Sequence, residues 1–408
     1  LLRNKTAVPT LHNQIYSMKK AILLISSLFL GYGVQAQDTT AAAPGKFTFS
    51  GYLDTYYFGN FNNPKSQSNL GLNGSGVGNA RAFDQKAGQF GIGLVQAKAA
   101  YSSAHVDAVM DLTFGTFGDL GNYGNNVGLL GTPGSTALAI KQAYITLKAS
   151  DKLSFTAGQF GTHIGYEVID APVNYNYSLS NLFNNGPFYH IGLKAQYAFS
   201  DRASLMLGLV NNVDNLVDNN KKKGLIGQFF FSPVSGWNVY LNAIMSNEAS
   251  KDVTNPNGTV AVSADNAMYQ LFDLTTTYQI TSKFFLGLNA AAGSQKGDYQ
   301  GVGGPTTTKN WGGVAVYTNY AFSDKFGLGA RYETFDNKGG ARALTDAAGN
   351  GASVNSITIT GNITTGDGHV LLKPELRIDS YSANKFEKND GSLTTSQTTL
   401  GMAAIFKF

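Results

Sequence analysis

Beyond residue 36 the chain offers four histidines for acid-base chemistry, His105, His163, His190 and His369. A Ser-His-Asp arrangement requires a nucleophile held beside its base. No nucleophile elbow or paired local motif supplies one. His163 and Glu167 stand four apart, a spacing that puts two metal ligands together on a helix, but this segment leaves a strand and the pair diverges. The chain has no Cys, which removes thiolate metal sites, cysteine nucleophiles and disulfides together. No reaction and no cofactor is implied. What remains is electrostatics, carried by Lys194, Arg331, Glu333, Lys373, Glu375, Arg377 and Asp379 as pore-lining candidates. Glu167 and Asp170, in the segment from Ile164 to Gly186, are the constriction-loop candidates facing Lys194, Arg331, Lys373 or Arg377. Opposed charges across a narrow wet passage set up a transverse field that sorts solutes by charge and dipole.

The elements that must position these charges alternate with period two. Val370, Leu372, Pro374, Leu376 and Ile378 share one face of a strand whose other face carries Lys373, Glu375, Arg377 and Asp379. Phe326, Leu328, Ala330 and Tyr332 oppose Arg331 and Glu333 in the same way, and Ile191, Leu193, Ala195 and Tyr197 oppose His190, Lys194 and Gln196. A row of charges cannot face a dry core unless each finds a partner, so the pattern predicts an apolar exterior around a wet interior. That inverts a soluble protein and describes a membrane barrel. The last stretch, Leu400 to Phe408, fits the same scheme: Leu400, Met402, Ala404, Phe406 and Phe408 form one uniformly apolar face. A barrel removes such an exposed edge by pairing its last strand with its first.

Composition agrees. Glycine at 48 residues, 12% aromatics and only 14% charged residues suit a long all-β chain with many turns. Met18-Lys19-Lys20, the apolar run Ala21 to Leu30 and the small residues up to Ala36 read as a secretory signal peptide over 18–36. The run is too short for a membrane helix, which takes about 20 residues. Residues 1–17 read as a mis-called upstream extension, 37–45 as a spacer, and 46–408 as the barrel. Arg3, Lys5, Lys19 and Lys20 all precede the cleavage point. Without them 26 basic residues meet 26 acidic ones, which leaves no argument for nucleic-acid binding.

In order, a strand from Lys46 to Gly59 precedes hairpins over Gln89–Ser102 with Ala104–Phe117, Ala137–Ala149 with Lys152–His163, and Pro187–Phe199 with Arg202–Val213. Further hairpins turn at Pro233 to Ser235, Thr281-Ser282, Ser323-Asp324 and Gly366 to Gly368. With the last strand this makes about sixteen, joined by short turns at one end and longer loops at the other, the pattern of an outer-membrane barrel. Tyr197-Ala198-Phe199-Ser200-Asp201-Arg202 recurs as Tyr320-Ala321-Phe322-Ser323-Asp324-Lys325. Ser and Asp close such turns, and the aromatics before them suit an interfacial girdle. The strand near Gln89 breaks parity, because Ile92 and Leu94 share it with Gln96 and Lys98. A bulge at Gly91 or Gly93 restores it. Gly74, Gly76 and Gly78 lack the Lys and following helix of a phosphate loop and read as surface loop.

The stretch Gly158-Gln159-Phe160-Gly161-Thr162-His163-Ile164-Gly165-Tyr166-Glu167-Val168-Ile169, continuing through Asn174-Tyr175-Asn176-Tyr177-Ser178 to Pro187-Phe188-Tyr189-His190-Ile191-Gly192-Leu193, resembles the signature region of the beta-barrel porin-2 (OmpL-like) family. Lys373-Pro374-Glu375-Leu376-Arg377-Ile378-Asp379 resembles that family's late strand. The resemblance implies an outer-membrane channel. Leu179 stands where the family usually has Arg, so no role is carried over from that Arg.

The expected architecture is therefore an all-β transmembrane antiparallel barrel in the outer membrane of a Gram-negative bacterium, passing small hydrophilic solutes or ions passively. Expected partners are outer-membrane lipids and lipopolysaccharide, the barrel-assembly machinery acting on the Phe408 strand, and further copies of the chain in a homo-oligomer. Lys221-Lys222-Lys223 reads as a solvated loop run, with lipopolysaccharide phosphates as its alternative ligand. The rival readings are a non-conducting barrel acting as an adhesin or receptor through its loops, and a barrel hydrolase.

Overall fold

A computed structural model describes residues 45–71, 81, 83–121, 136–346 and 348–408. The expected upstream extension, the leader, most of the spacer and the glycines Gly74, Gly76 and Gly78 lie outside the described residues. The chain forms β1 (Lys46–Asn60), β2 (Phe90–Ser102), β3 (Val106–Phe114), β4 (Ile140–Lys148), β5 (Leu153–Gly161), β6 (Tyr189–Ser200), β7 (Ala203–Val213), β8 (Gly224–Phe231) and β9 (Trp237–Ser246). Then follow β10 (Val253–Thr254), β11 (Val260–Val262), β12 (Met268–Gln279), β13 (Phe284–Lys296), β14 (Lys309–Ser323), β15 (Phe326–Asp336) and β16 (Ser353–Thr365). β17 (Val370–Tyr381), β18 (Phe386–Glu387), β19 (Leu393–Thr394) and β20 (Ser396–Lys407) complete the chain. Sixteen of these close one antiparallel barrel in chain order, while β10–β11 and β18–β19 are small hairpins within loops.

Closure pairs β1 with β20, from Tyr52 opposite Lys407 to Asn60 opposite Thr399. No edge remains for another chain to extend. The seven hairpins read from the sequence are all present, with ends shifted by a few residues where the chain still continues the apolar pattern but has no partner strand. Leu400, Met402, Phe406 and Phe408 face outward, and Ala403 and Ile405 are fully covered inside.

The turn chemistry is local and repeats. The side-chain oxygens of Ser150, Ser200, Thr281 and Ser323 each accept the backbone N–H two residues on, which bends the chain before the next strand starts. The last turn differs: Gly366, Asp367 and Gly368 all take positive φ, which glycine adopts without a Cβ clash. Aromatics collect on the outer surface beside these turns, including the pairs Tyr197–Phe199 at 5.2 Å, Tyr320–Phe322 at 4.9 Å and Trp237–Tyr278 at 5.8 Å between ring centroids. Amphipathic rings belong at the membrane–water boundary.

Two bulges decide which side chains face in. Leu53 pairs with Val95 and Thr55 with Ile92, so Asp54 stands opposite both Gly93 and Leu94. Ile92 and Val95 then face out while Leu94 is buried inside, which resolves the parity conflict in this strand. The second bulge sets Asp111 opposite Gln142 and Leu112 opposite Ile140, leaving Lys141 unpaired between them.

Candidate functional site

The segment 164–186 leaves β5 and crosses the inside of the barrel before returning to β6. A loop carries backbone N–H and C=O groups that no ladder pairs, so it can lie inside only if the wall supplies partners. The inner faces of β15, β16 and β17 do so. Glu375 accepts the N–H of Tyr177 at 2.7 Å and of Ser178 at 3.1 Å. Glu333 accepts from the N–H groups of Asn181 and Leu182, both at 2.8 Å, at the start of the short helix Asn181–Asn185. Lys373 donates to the Asn174 carbonyl at 2.5 Å, and Arg377 to the Leu179 carbonyl at 2.8 Å. Arg331 donates to the Ser178 carbonyl at 2.7 Å and meets Glu167 at 2.5 Å. Ser180 caps the short helix through Phe183 N–H, and its own N–H donates to Glu167.

These contacts correct one expectation. Arg331, Glu333, Lys373, Glu375, Arg377 and Asp379 point into the barrel, but each is at most 2% exposed. The charges expected to need water are satisfied instead by loop backbone and by one another, so they do not border open lumen. Asp379 shows the same economy at the mouth, where it accepts from Arg377 at 2.8 Å and from Arg81 at 3.2 Å. Arg81 also pairs with Asp84, and so ties the loop after β1 to the wall. Lys194 lies elsewhere, with its ammonium 4.4 Å from the centre of the Phe160 ring.

The far edge of the loop is tied to the next part of the wall, β1, β2 and the start of β4. Asp170 accepts from Tyr52 at 3.2 Å, from Gln96 at 3.0 Å and from Lys141 at 2.5 Å, while Lys141 also lies 3.3 Å from Asp111. Of the two candidate acids, Glu167 meets Arg331, one of the cations expected to face it, whereas Asp170 meets Lys141, which is not among them. Alternation from Ile145 and Leu147, both exposed outward, assigns Lys141 to the lipid face, so strand parity alone does not point to it. The bulge turns it inward. A lone lysine on an apolar strand face was the available signal.

Among the described residues the histidines bond chiefly to backbone and hydroxyl groups. His163 bonds the Ala243 carbonyl and His190 the Thr162 hydroxyl, with their rings 5.8 Å apart, and His369 bonds the Lys407 carbonyl. Glu167, spent on Arg331 and Ser180, is not available to His163. Among the described residues no group of three or more His, Asp or Glu side chains is placed to hold a metal.

With the loop lying against β13–β17 and β1, free space remains along β3–β12. A cavity of about 540 Å³ runs there between Tyr166, Ile169 and Asp170 of the loop and Gln142, Gln228, Tyr240, Asn242, Thr275 and Thr277 of the wall. Thr277 sits near the short-turn end and Phe188 near the loop end, so the space follows the barrel axis. The arrangement is a barrel narrowed from within, with free space on one side.

Solved structures of the same architecture are outer-membrane porins and channels. OmpT of Vibrio cholerae superposes with a TM-score of 0.54 at 12% identity, covering 91% of this chain and 100% of that one. The outer membrane channel DcaP of Acinetobacter baumannii gives 0.55 at 11% identity, covering 91% and 99%. The anion-selective porin from Comamonas acidovorans gives 0.52 at 10% identity, covering 89% and 100%. No curated protein matches the chain in sequence. The model of the family described as "Putative beta-barrel porin-2, OmpL-like" matches residues 46–408, and the chain belongs to that family of outer-membrane porins.

Proposed function

We propose that small hydrophilic solutes diffuse through the passage along β3–β12, and that the loop 164–186 is the constriction. The observation that carries this reading is the inward loop itself, pinned to one wall by Arg331, Glu333, Lys373, Glu375 and Arg377 while about 540 Å³ stays free beside the other. In this reading the buried charges hold the loop, Lys141 and Asp170 border the path, and no bond is made or broken in the solute. The favoured setting is the outer membrane after removal of a leader ending near Ala36. Phe408, whose backbone pairs with Gly51 at 3.1 Å in the closing seam, is the element offered to the assembly machinery. Lys221 is the member of its lysine run left for lipopolysaccharide phosphate, since Lys222 pairs with Asp265 and Lys223 with Asp218. A homo-oligomer, a trimer by analogy with other sixteen-stranded porins, remains part of the proposal on fold grounds.

Single-channel recording of the refolded protein in a planar bilayer under a salt gradient tests the reading. Discrete conductance steps with a defined reversal potential are expected. Silence from a demonstrably folded barrel would overturn it and move the search for function to the external loops.

A further inference from the structure

The lining of the free passage is uneven in kind. Its charged members, Lys141, Glu167 and Asp170, are all spent: Lys141 on Asp170 and Asp111, Glu167 on Arg331. A charged solute entering here gives up hydration for groups that are already bonded, Asp170 to Lys141, Tyr52 and Gln96 and Glu167 to Arg331 and the Ser180 N–H, which is costly in a narrow site. The rest of the polar lining is neutral. Gln142, Gln228 and Asn242 are amides whose first bonds go to protein, Gln142 donating to Asp111 and accepting from the Gly161 N–H, Gln228 donating to Asn242 and Asn242 to Asp273. Their further donor and acceptor positions, with the Thr277 hydroxyl, are what the space is offered. Aromatic rings interleave with them on both sides. Tyr240 projects from β9 beside Phe230, with ring centroids 5.0 Å apart. Tyr166 lies on the loop, backed by Tyr317 at 4.1 Å.

Amides and hydroxyls beside aromatic faces suit solutes that present hydroxyl groups on one side and C–H surface on another. The volume lies within the range of about 300–1,000 Å³ in which compact organic ligands are held. We infer that the passage prefers neutral polyhydroxylated solutes, sugars of one to two rings, and that Tyr240 and Tyr166 are its contact platforms. This deepens the porin reading and rests on it.

The test records open-channel current of the full chain in a planar bilayer while maltose or sucrose is added to one side. Each sugar is expected to reduce the current in a saturable manner. Tyr240→Ala and, independently, Tyr166→Ala are expected to raise the half-blocking concentration about tenfold, the scale of one lost aromatic contact, while Tyr240→Phe keeps most of the block. In liposome swelling, uncharged sugars should enter faster than lysine or glutamate, although those amino acids are smaller. A conducting channel whose current ignores both sugars, or swelling that is at least as fast with the charged solutes, overturns the preference and leaves the porin reading standing. A folded barrel with no conductance overturns both.

Discussion

Arg331 and Glu167 meet at 2.5 Å with side chains essentially out of contact with water. Removing one partner of a buried pair leaves the other charge unpaired at a cost of about 3–5 kcal/mol, more than the pair itself is worth. Arg331→Ala is therefore expected to release the loop 164–186 from its wall, seen as larger and noisier single-channel steps. Replacing both, Arg331→Met with Glu167→Met, should give quieter steps than Arg331→Ala, because neither charge of this pair is then left alone. Lys141 acts differently, since it borders the passage. Lys141→Ala exposes Asp170 and Asp111 without their cation, and the reversal potential under a salt gradient should move toward cation preference. Arg377→Ala, remote from the passage, should leave that potential nearly unchanged while loosening the loop.

At the scale of elements, the external loops are held by small knots as well as by the barrel. Asp298, just after β13, accepts N–H bonds from Ser250 at 2.9 Å, Gly301 at 3.0 Å and Gly303 at 2.7 Å, which joins the loop after β9 to the loop after β13. Burial raises the Asp298 carboxyl, but these donors outweigh it and hold it below its ordinary value. A depressed folded value means that the knot contributes fully above an unfolded value near ~3.9 and is lost as pH falls through the lower folded value. Pepsin is thus expected to spare these loops at pH 4–5 and to cut them at lower pH, with the barrel core intact. Asp298→Ala should bring the same opening to neutral pH, read as new trypsin cleavage after Lys251.

For the molecule as a whole, the outer face sets a separate constraint. Leu376 lies midway along β17 on the outward side, between Ile359 of β16 and Leu400 of β20. Leu376→Arg places a charge near the bilayer centre and should cost ~2–4 kcal/mol, measured by reversible urea unfolding in lipid vesicles. A smaller effect than in a variant at the membrane boundary would argue against this face meeting lipid. Deletion of residues 168–181 should leave the barrel assembled, because its ladder closes through β1 and β20 without the loop.

Much of this architecture was legible residue by residue. Lipid outside forces period-two apolar faces, and every turn needs a residue that satisfies its own backbone, so strand number, the outward face of β17 and β20, and turns such as Ser200-Asp201 follow from neighbours in sequence. The direction of the loop 164–186, the spending of the β15 and β17 charges on it, and the side on which the passage stays open did not follow. Each depends on partners far apart along the chain: Glu167 and Arg331 are separated by 164 positions, and Lys373 and Asn174 by 199. Alternation states that a charge faces inward. Only the folded barrel states what it meets there, and a one-residue bulge, as at Lys141, reverses even the facing.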